Sequence, residues 1–198
     1  IVGYTILMAR DETRTHQHWM AILDKIIHPQ AALHRGRIVK STGDGVLAEF
    51  PSAFDAVQWA VDVQLAVQAD RTGDPMPSIA LRIAVHVGDI ITTEFDVFGD
   101  GVNLAARLQE HAPAGGIVLS EAVHDLVRGS VNAVTRDLGP LNLKNFEQPV
   151  RAFVLDTTDH QIAIPHIRGT GRLPSIAVLP LANIGGDPAD DDFCDGCV

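Results

Sequence analysis

The chain has 198 residues, 46% of them hydrophobic and 20% charged, with a formal net charge of −10. That is material for one full core and part of a second. The acidity excludes the basic footprint of a nucleic-acid or acidic-membrane binder. No apolar run reaches the length of a bilayer span, and two cysteines are too few for a disulfide scaffold, so a reducing cytoplasm is the expected setting. The chain starts at Ile1 without Met and stops at Val198 without a terminating pattern, so both ends read as cut.

Ile1-Val2 reads as the tail of a strand turning at Gly3. From Asp11 the pattern becomes helical: Trp19, Ile22, Leu23, Ile26 and Ile27 share one face until Pro29 ends the run. After Gly36, residues 37–41 and 46–50 read as two strands joined by a tight turn at Gly43-Asp44-Gly45, because an Asp-Gly tip takes positive φ cheaply. Ser52 with Asp55 opens a helix whose buried stripe is Phe54, Val57, Val61 and Leu65. Residues 72–77 form a loop, and 79–86 and 90–93 are strands around Gly88-Asp89.

A further helix is predicted from about Gly101 to His111, stopping at Pro113-Ala-Gly-Gly116. Then come a short buried strand over 117–119, a helix over 121–127, and two or three strands ending at 150–155. Strands joined by hairpins and mixed with helices predict an α+β fold, a mostly antiparallel sheet with helices against it. Residues 156–173 lack periodicity and read as a linker; from Pro174 a strand-then-turn pattern begins.

Chemistry concentrates in two stretches. Asp44, flanked by glycines at a hairpin tip, can project a carboxylate with no bulky neighbour, which suits a hard cation held jointly with phosphate oxygens. Taken alone, Gly-Asp-Gly is also ordinary turn chemistry. Asn103 and Arg107 lie one helical turn apart and therefore on one face. Asp100 reads as the cap of that helix.

Other polar groups carry less. Cys194 and Cys197 have the spacing of half a zinc or redox motif without a second pair. His16 and His18 point about 200° apart on a helix, which defeats chelation. His86 reads as a hydrogen-bonded strand histidine, and Asp190 to Asp192 as a solvated loop.

Together, Lys40-Ser-Thr-Gly-Asp-Gly-Val-Leu-Ala-Glu-Phe50 and Asp96-Val-Phe-Gly-Asp-Gly-Val-Asn-Leu-Ala-Ala-Arg107 resemble the catalytic domain of class III adenylate/guanylate cyclases. The resemblance covers roughly residues 1–155; residues 174–198 resemble the incomplete start of a TolB-like segment that follows such domains. It implies a ferredoxin-like, palm-type sheet. It makes Asp44 one of two metal-binding carboxylates for a pair of Mg²⁺ or Mn²⁺ ions. Ile1-Val2-Gly3-Tyr4-Thr5 matches the family's first-strand pattern except for its leading Asp, which would precede Ile1. The Ile1 carbonyl would still reach a metal, and Gly3, Tyr4 and Thr5 would border the triphosphate.

Lys40 and Asp96 match the family's base-reading pair. Lysine only donates and aspartate only accepts, so the pair fits the acceptor nitrogen and amino donor of adenine and conflicts with guanine. The resemblance further implies that Asn103 orients the ribose, Arg107 stabilises the α-phosphate in the transition state, and Lys144, in Leu143-Lys-Asn-Phe146, meets the β- and γ-phosphates. The expected activity is conversion of ATP to cyclic AMP by a cytoplasmic homodimer with active sites at its interface.

The alternative is a cyclase-like module that binds nucleotide or dimerises without turnover, suggested by the missing first carboxylate. A diguanylate cyclase would need a different hairpin from Gly43-Asp-Gly-Val46, and a polymerase would need a basic template groove.

Overall fold

The computed structural model describes residues 1–70, 79–88, 91–92, 97–130, 134–156 and 175–178. Helix α1 (Tyr4–Arg10) opens the chain, so Ile1-Val2 is not the tail of a strand as its composition suggests. Gly3, at φ +65°, supplies the left-handed turn that swings the backbone into this helix. Asp11 then ends α1 and caps α2 (Glu12–Ile22), its side chain accepting from the Arg14 N–H.

Pro29 does not end the helical run. A π-helical turn at Leu23–Ile27 leads directly into α3 (His28–Leu33), with Pro29 in its first turn. The wider register of the π-helical turn, in which His28 N–H donates to Leu23 O, lets the run continue through a residue with no N–H of its own.

Strands β1 (Arg37–Ser41) and β2 (Val46–Phe50) form the predicted hairpin, with a bulge between Ile38 and Lys40. Ser52 accepts from the Asp55 N–H at the start of α4 (Ala53–Asp70), as the start signal implies. Strand β3 is Ile83–Val87; the short pair β4 (Ile91–Thr92) and β5 (Val97–Phe98) precedes α5 (Asp100–Gln109). Next come β6 (Ile117–Ser120), α6 (Glu121–Val127), β7 (Thr135–Leu141) and β8 (Val150–Leu155). The strand expected after Pro174 forms at Ser175–Val178 and is β9. The linker reading for 156–173 falls, from residue 157 onward, outside the described residues.

The main sheet runs in the order β1-β2-β9-β3-β6-β8-β7. Only β3 and β6 pair in parallel; β9 lies between β2 and β3 and is antiparallel to both. This is the α+β arrangement predicted.

Strand periodicity sorts the core into two faces. Val46, Ala48, Phe50, Ile83, Val85, Ile117 and Leu119 pack with α2, α4 and α6. Their alternates Ala84, Val118 and Ala152 pack with Leu108 of α5 and with Leu143. Leu47 meets Val102 and Ala105 on that same side, with Val39 against them. Helix α5 is therefore held against one face of the sheet by its apolar stripe. Its opposite stripe is left for polar work.

Candidate active site

Asp44 sits in a turn fixed by backbone bonds: Thr42 N–H donates to Gly45 O at 2.9 Å and Asp44 N–H to Thr42 O at 3.1 Å. Gly43 takes φ +83°, and its carbonyl accepts from the buried Trp19 indole N–H at 2.6 Å. The carboxylate does not project freely into solvent from the tip. Asp44 is 0% exposed, turned into the protein toward the chain's first residues.

Ile1 donates through its backbone nitrogen to the Asp44 carbonyl at 2.9 Å, and Val2 N–H donates to Ala80 O at 2.8 Å. The Tyr4 phenol is held above its ordinary pKa, first by burial and then by the Asp44 carboxylate. Ile1, Tyr4 and Asp44 are thus one cluster. Gly3 closes the first turn of α1 by accepting from Ile6 and Leu7 N–H; Tyr4 is buried and Thr5 exposed.

An aspartate and neighbouring backbone carbonyls make an all-oxygen donor set, which fits a hard divalent cation. The fit is partial, because Asp44 is the one of the two expected metal carboxylates that the chain carries.

Lys40 stands half-buried on β1, just past the bulge that re-aims this strand. Asp96, its expected partner in base reading, lies outside the described residues. Asn103 and Arg107 are both half-buried on α5 while Val102, Ala105 and Leu108 face the core, so the pair shares the helix's polar stripe. Glu110 accepts from Arg107 Nη1 at 3.3 Å, a contact of the partly exposed surface kind.

Lys144 is exposed on the turn before β8, whose neighbour Leu143 is buried in the α5-side core. Asp100 is not the cap expected of it. Gly99 occupies the cap position without a side-chain bond, and Asp100 is the first helical residue, where its charge still favours the helix N-terminus. His18 engages Asp70, apart from His16 as its spacing implies; Cys194, Cys197 and Asp190 to Asp192 lie outside the described residues.

Two contributors escape a motif-level reading. Trp19 is legible as a buried helix residue, but its N–H tie to Gly43 is not. His86, read as a satisfied strand residue, is hydrogen-bonded between its Nδ1 and Ser120 Oγ at 2.9 Å. Burial pushes its pKa down to about 4 from an ordinary 6.5. A depressed base favours the fold only where the unfolded chain is also unprotonated, so stability is full above pH 6.5 and falls as pH drops toward 4. With partial solvent screening the loss is on the order of 2 kcal/mol. Urea midpoints between pH 7.5 and 4.5 should fall for the native chain and fall less for His86→Gln.

The family model of the adenylate and guanylate cyclase catalytic domain matches residues 1–157. A Rhizobium meliloti protein named "Putative adenylate cyclase 3" is 41% identical over 98% of this chain, which spans 34% of that protein. A Mycobacterium tuberculosis protein, Rv0891c, is 31% identical over 89% of the chain, which spans 63% of it. Thus the chain covers between about a third and two thirds of the length of these relatives. Among solved structures, an adenylate/guanylate cyclase/hydrolase from Silicibacter pomeroyi superposes with a TM-score of 0.72 at 36% identity, over 78% of this chain and 90% of that one. The adenylyl cyclase CyaB of P. aeruginosa shares the fold, with a TM-score of 0.61 at 24% identity over 78% and 89% of the two chains. The family model spans most of the chain, and the relatives and solved structures agree with it, so the chain belongs to the adenylate and guanylate cyclase catalytic domain family.

Proposed function

We propose that the domain converts ATP to 3′,5′-cyclic AMP and pyrophosphate in signal transduction inside the cell. The observation that carries this reading is α5: it presents Asn103 and Arg107 together on a half-buried stripe, in a chain whose first 157 residues match the cyclase family.

In this mechanism the ribose 3′-hydroxyl attacks the α-phosphorus in line and pyrophosphate departs. Asn103 orients the ribose. Arg107 meets the charge that grows on the α-phosphate, which its planar, permanently charged fork of donors suits. Lys144 pairs with the β- and γ-phosphates, and the backbone of Gly3, Tyr4 and Thr5 borders them. Asp44 and the Ile1 carbonyl would hold Mg²⁺ or Mn²⁺, two ions per site; such ions acidify the attacking hydroxyl and neutralise the leaving group. Because Asp44 is shielded from solvent, its charge acts at low local dielectric and counts for more.

Lys40 and Asp96 read the adenine edge, so ATP is the substrate. Two copies of the domain pair head to tail, one supplying Asp44 and the other Lys40, Asp96, Asn103 and Arg107, giving two equivalent sites. Among the described residues no helix is long and apolar enough to cross a membrane.

Exchanging the hydrogen-bonding sense of the base pair tests this reading. Lys40→Glu with Asp96→Ser offers guanine an acceptor and a donor. Each mismatch repaired or created amounts to about 1–3 kcal/mol, so the ATP to GTP ratio of kcat/KM should fall at least tenfold. An unchanged ratio would show that other residues read the base.

A second reading is a cyclase-like module without turnover, since of the two metal carboxylates that the resemblance implies this chain carries Asp44 alone. A domain in that state binds nucleotide and dimerises without turnover.

A further inference from the structure

Helix α5 carries two of the residues that the proposed reaction needs, so whatever fixes its first turn fixes them. Register shows what lies beneath it. Strands β3 and β6 pair as Ala84↔Val118 and Val85↔Leu119, which makes His86 and Ser120 the next rung. By strand alternation these two side chains stand on the same face as Ala84 and Val118, the face that α5 covers.

At this rung His86 Nδ1 and Ser120 Oγ are hydrogen-bonded at 2.9 Å, and Ser120 is 2% exposed. Ser120 is also the N-cap residue of α6, in the extended conformation such caps adopt, yet its side chain makes no capping bond there. A Ser cap ordinarily accepts from an N–H of the first helical turn. Here the hydroxyl is committed to the imidazole.

The other edge of the imidazole borders Gly88. A Cβ placed on Gly88 would lie 3.0 Å from His86 Nε2 and 3.4 Å from the Cα of Gly101, in the first turn of α5. The imidazole, Gly88 and Gly101 therefore meet closely, and a methyl group on Gly88 would press on the ring and touch the first turn of α5.

We propose that His86, oriented by Ser120, is a positioning residue for catalysis: through Gly88 it sets where the first turn of α5 sits and hence where Asn103 and Arg107 point. This rests on the cyclase reading for its consequence in turnover, though not for its geometry. A hydrogen bond at the rung locks the ring, and the ring's far edge and the bare Gly88 leave α5 a single seating distance. The positions of Asn103 and Arg107, three and seven residues after Asp100 at the start of the helix, follow rigidly.

The test compares amide hydrogen exchange in the native chain, Ser120→Ala and Ser120→Thr. If the hydroxyl acts through His86, Ser120→Ala speeds exchange at residues 102–104 by about tenfold and leaves 122–124 unchanged, while Ser120→Thr, which keeps a hydroxyl, restores protection. A change confined to 122–124, or no change at either place, overturns the proposal, since that is what a role in α6 or no role would produce. With ATP and Mn²⁺, kcat should fall about tenfold in Ser120→Ala with KM within twofold, and the drop should vanish in an Arg107→Ala background. Equal losses in both backgrounds would also overturn it. All of these turnover assays use the chain with an aspartate joined ahead of Ile1; if that protein with Ser120 intact forms no cyclic nucleotide, the cyclase reading is refuted instead, with the exchange result standing on its own.

Discussion

Replacing Asp44 with alanine is expected to abolish cyclic-nucleotide formation while leaving the domain folded. The turn that presents Asp44 is held by main-chain bonds from Thr42 and Asp44 and by the Trp19 indole on Gly43 O, and none of these involves the carboxylate. The Ile1 contact is likewise to the Asp44 carbonyl. The substitution removes a buried, negatively charged carboxylate beside the first residues of the chain. If that charge holds the metals of the reaction, its loss should cost at least two to three orders of magnitude in kcat, as loss of a preorganised electrostatic group typically does. Product formation measured by chromatography, beside a circular dichroism spectrum and a melting curve, checks both halves of the expectation. Residual turnover within tenfold of native would remove Asp44 from the metal site.

The largest expected effect on stability is at Trp59. Its ring is 0% exposed, packs on Phe50 at 5.1 Å between centroids, and its Nε1 reaches Ile27 O at 3.4 Å. It therefore joins α4, the end of β2 and the π-helical turn. Trp59→Ala should destabilise the domain by about 3–5 kcal/mol through lost burial and an unfilled cavity. At about 2–4 °C per kcal/mol for a chain of this size, the melting temperature should drop by on the order of 10 °C. A loss below about 1 kcal/mol in urea titration would mean that these elements do not depend on one another.

Much of this architecture is legible without coordinates, for a physical reason. Where a segment is both periodic and bounded by turn chemistry, its limits are determined locally: the 46–50 strand and the 121–127 helix fall on their predicted residues, and Ser52 accepts from the Asp55 N–H as its spacing implies. The opening of the chain is different. Tyr4-Thr5-Ile6 is as compatible with a strand as with a helix, and the decision rests on Gly3 at φ +65° and on β9 lying between β2 and β3, long-range pairings that no local pattern encodes.

Pro29 shows the same limit, because a π-helical turn can absorb a residue that pattern alone reads as a stop. For the site, residue types and spacing point to Asn103, Arg107 and Asp44, and α5 does present its pair on one stripe. Burial of Asp44 was not legible, since it depends on Ile1 and Tyr4 folding back over the hairpin. Nor was the commitment of Ser120 to His86, which needs the parallel register of β3 and β6.

The account rests on one claim, that these groups act on ATP. The most direct measurement is cyclic-nucleotide formation by the chain carrying an aspartate joined ahead of Ile1, supplied with ATP or GTP and Mn²⁺. Cyclic AMP from ATP, with at least tenfold less cyclic GMP from GTP, is the predicted result. Cyclic GMP as the main product would contradict the Lys40 and Asp96 assignment, and no cyclic nucleotide from a folded, dimeric protein would contradict the proposed activity itself.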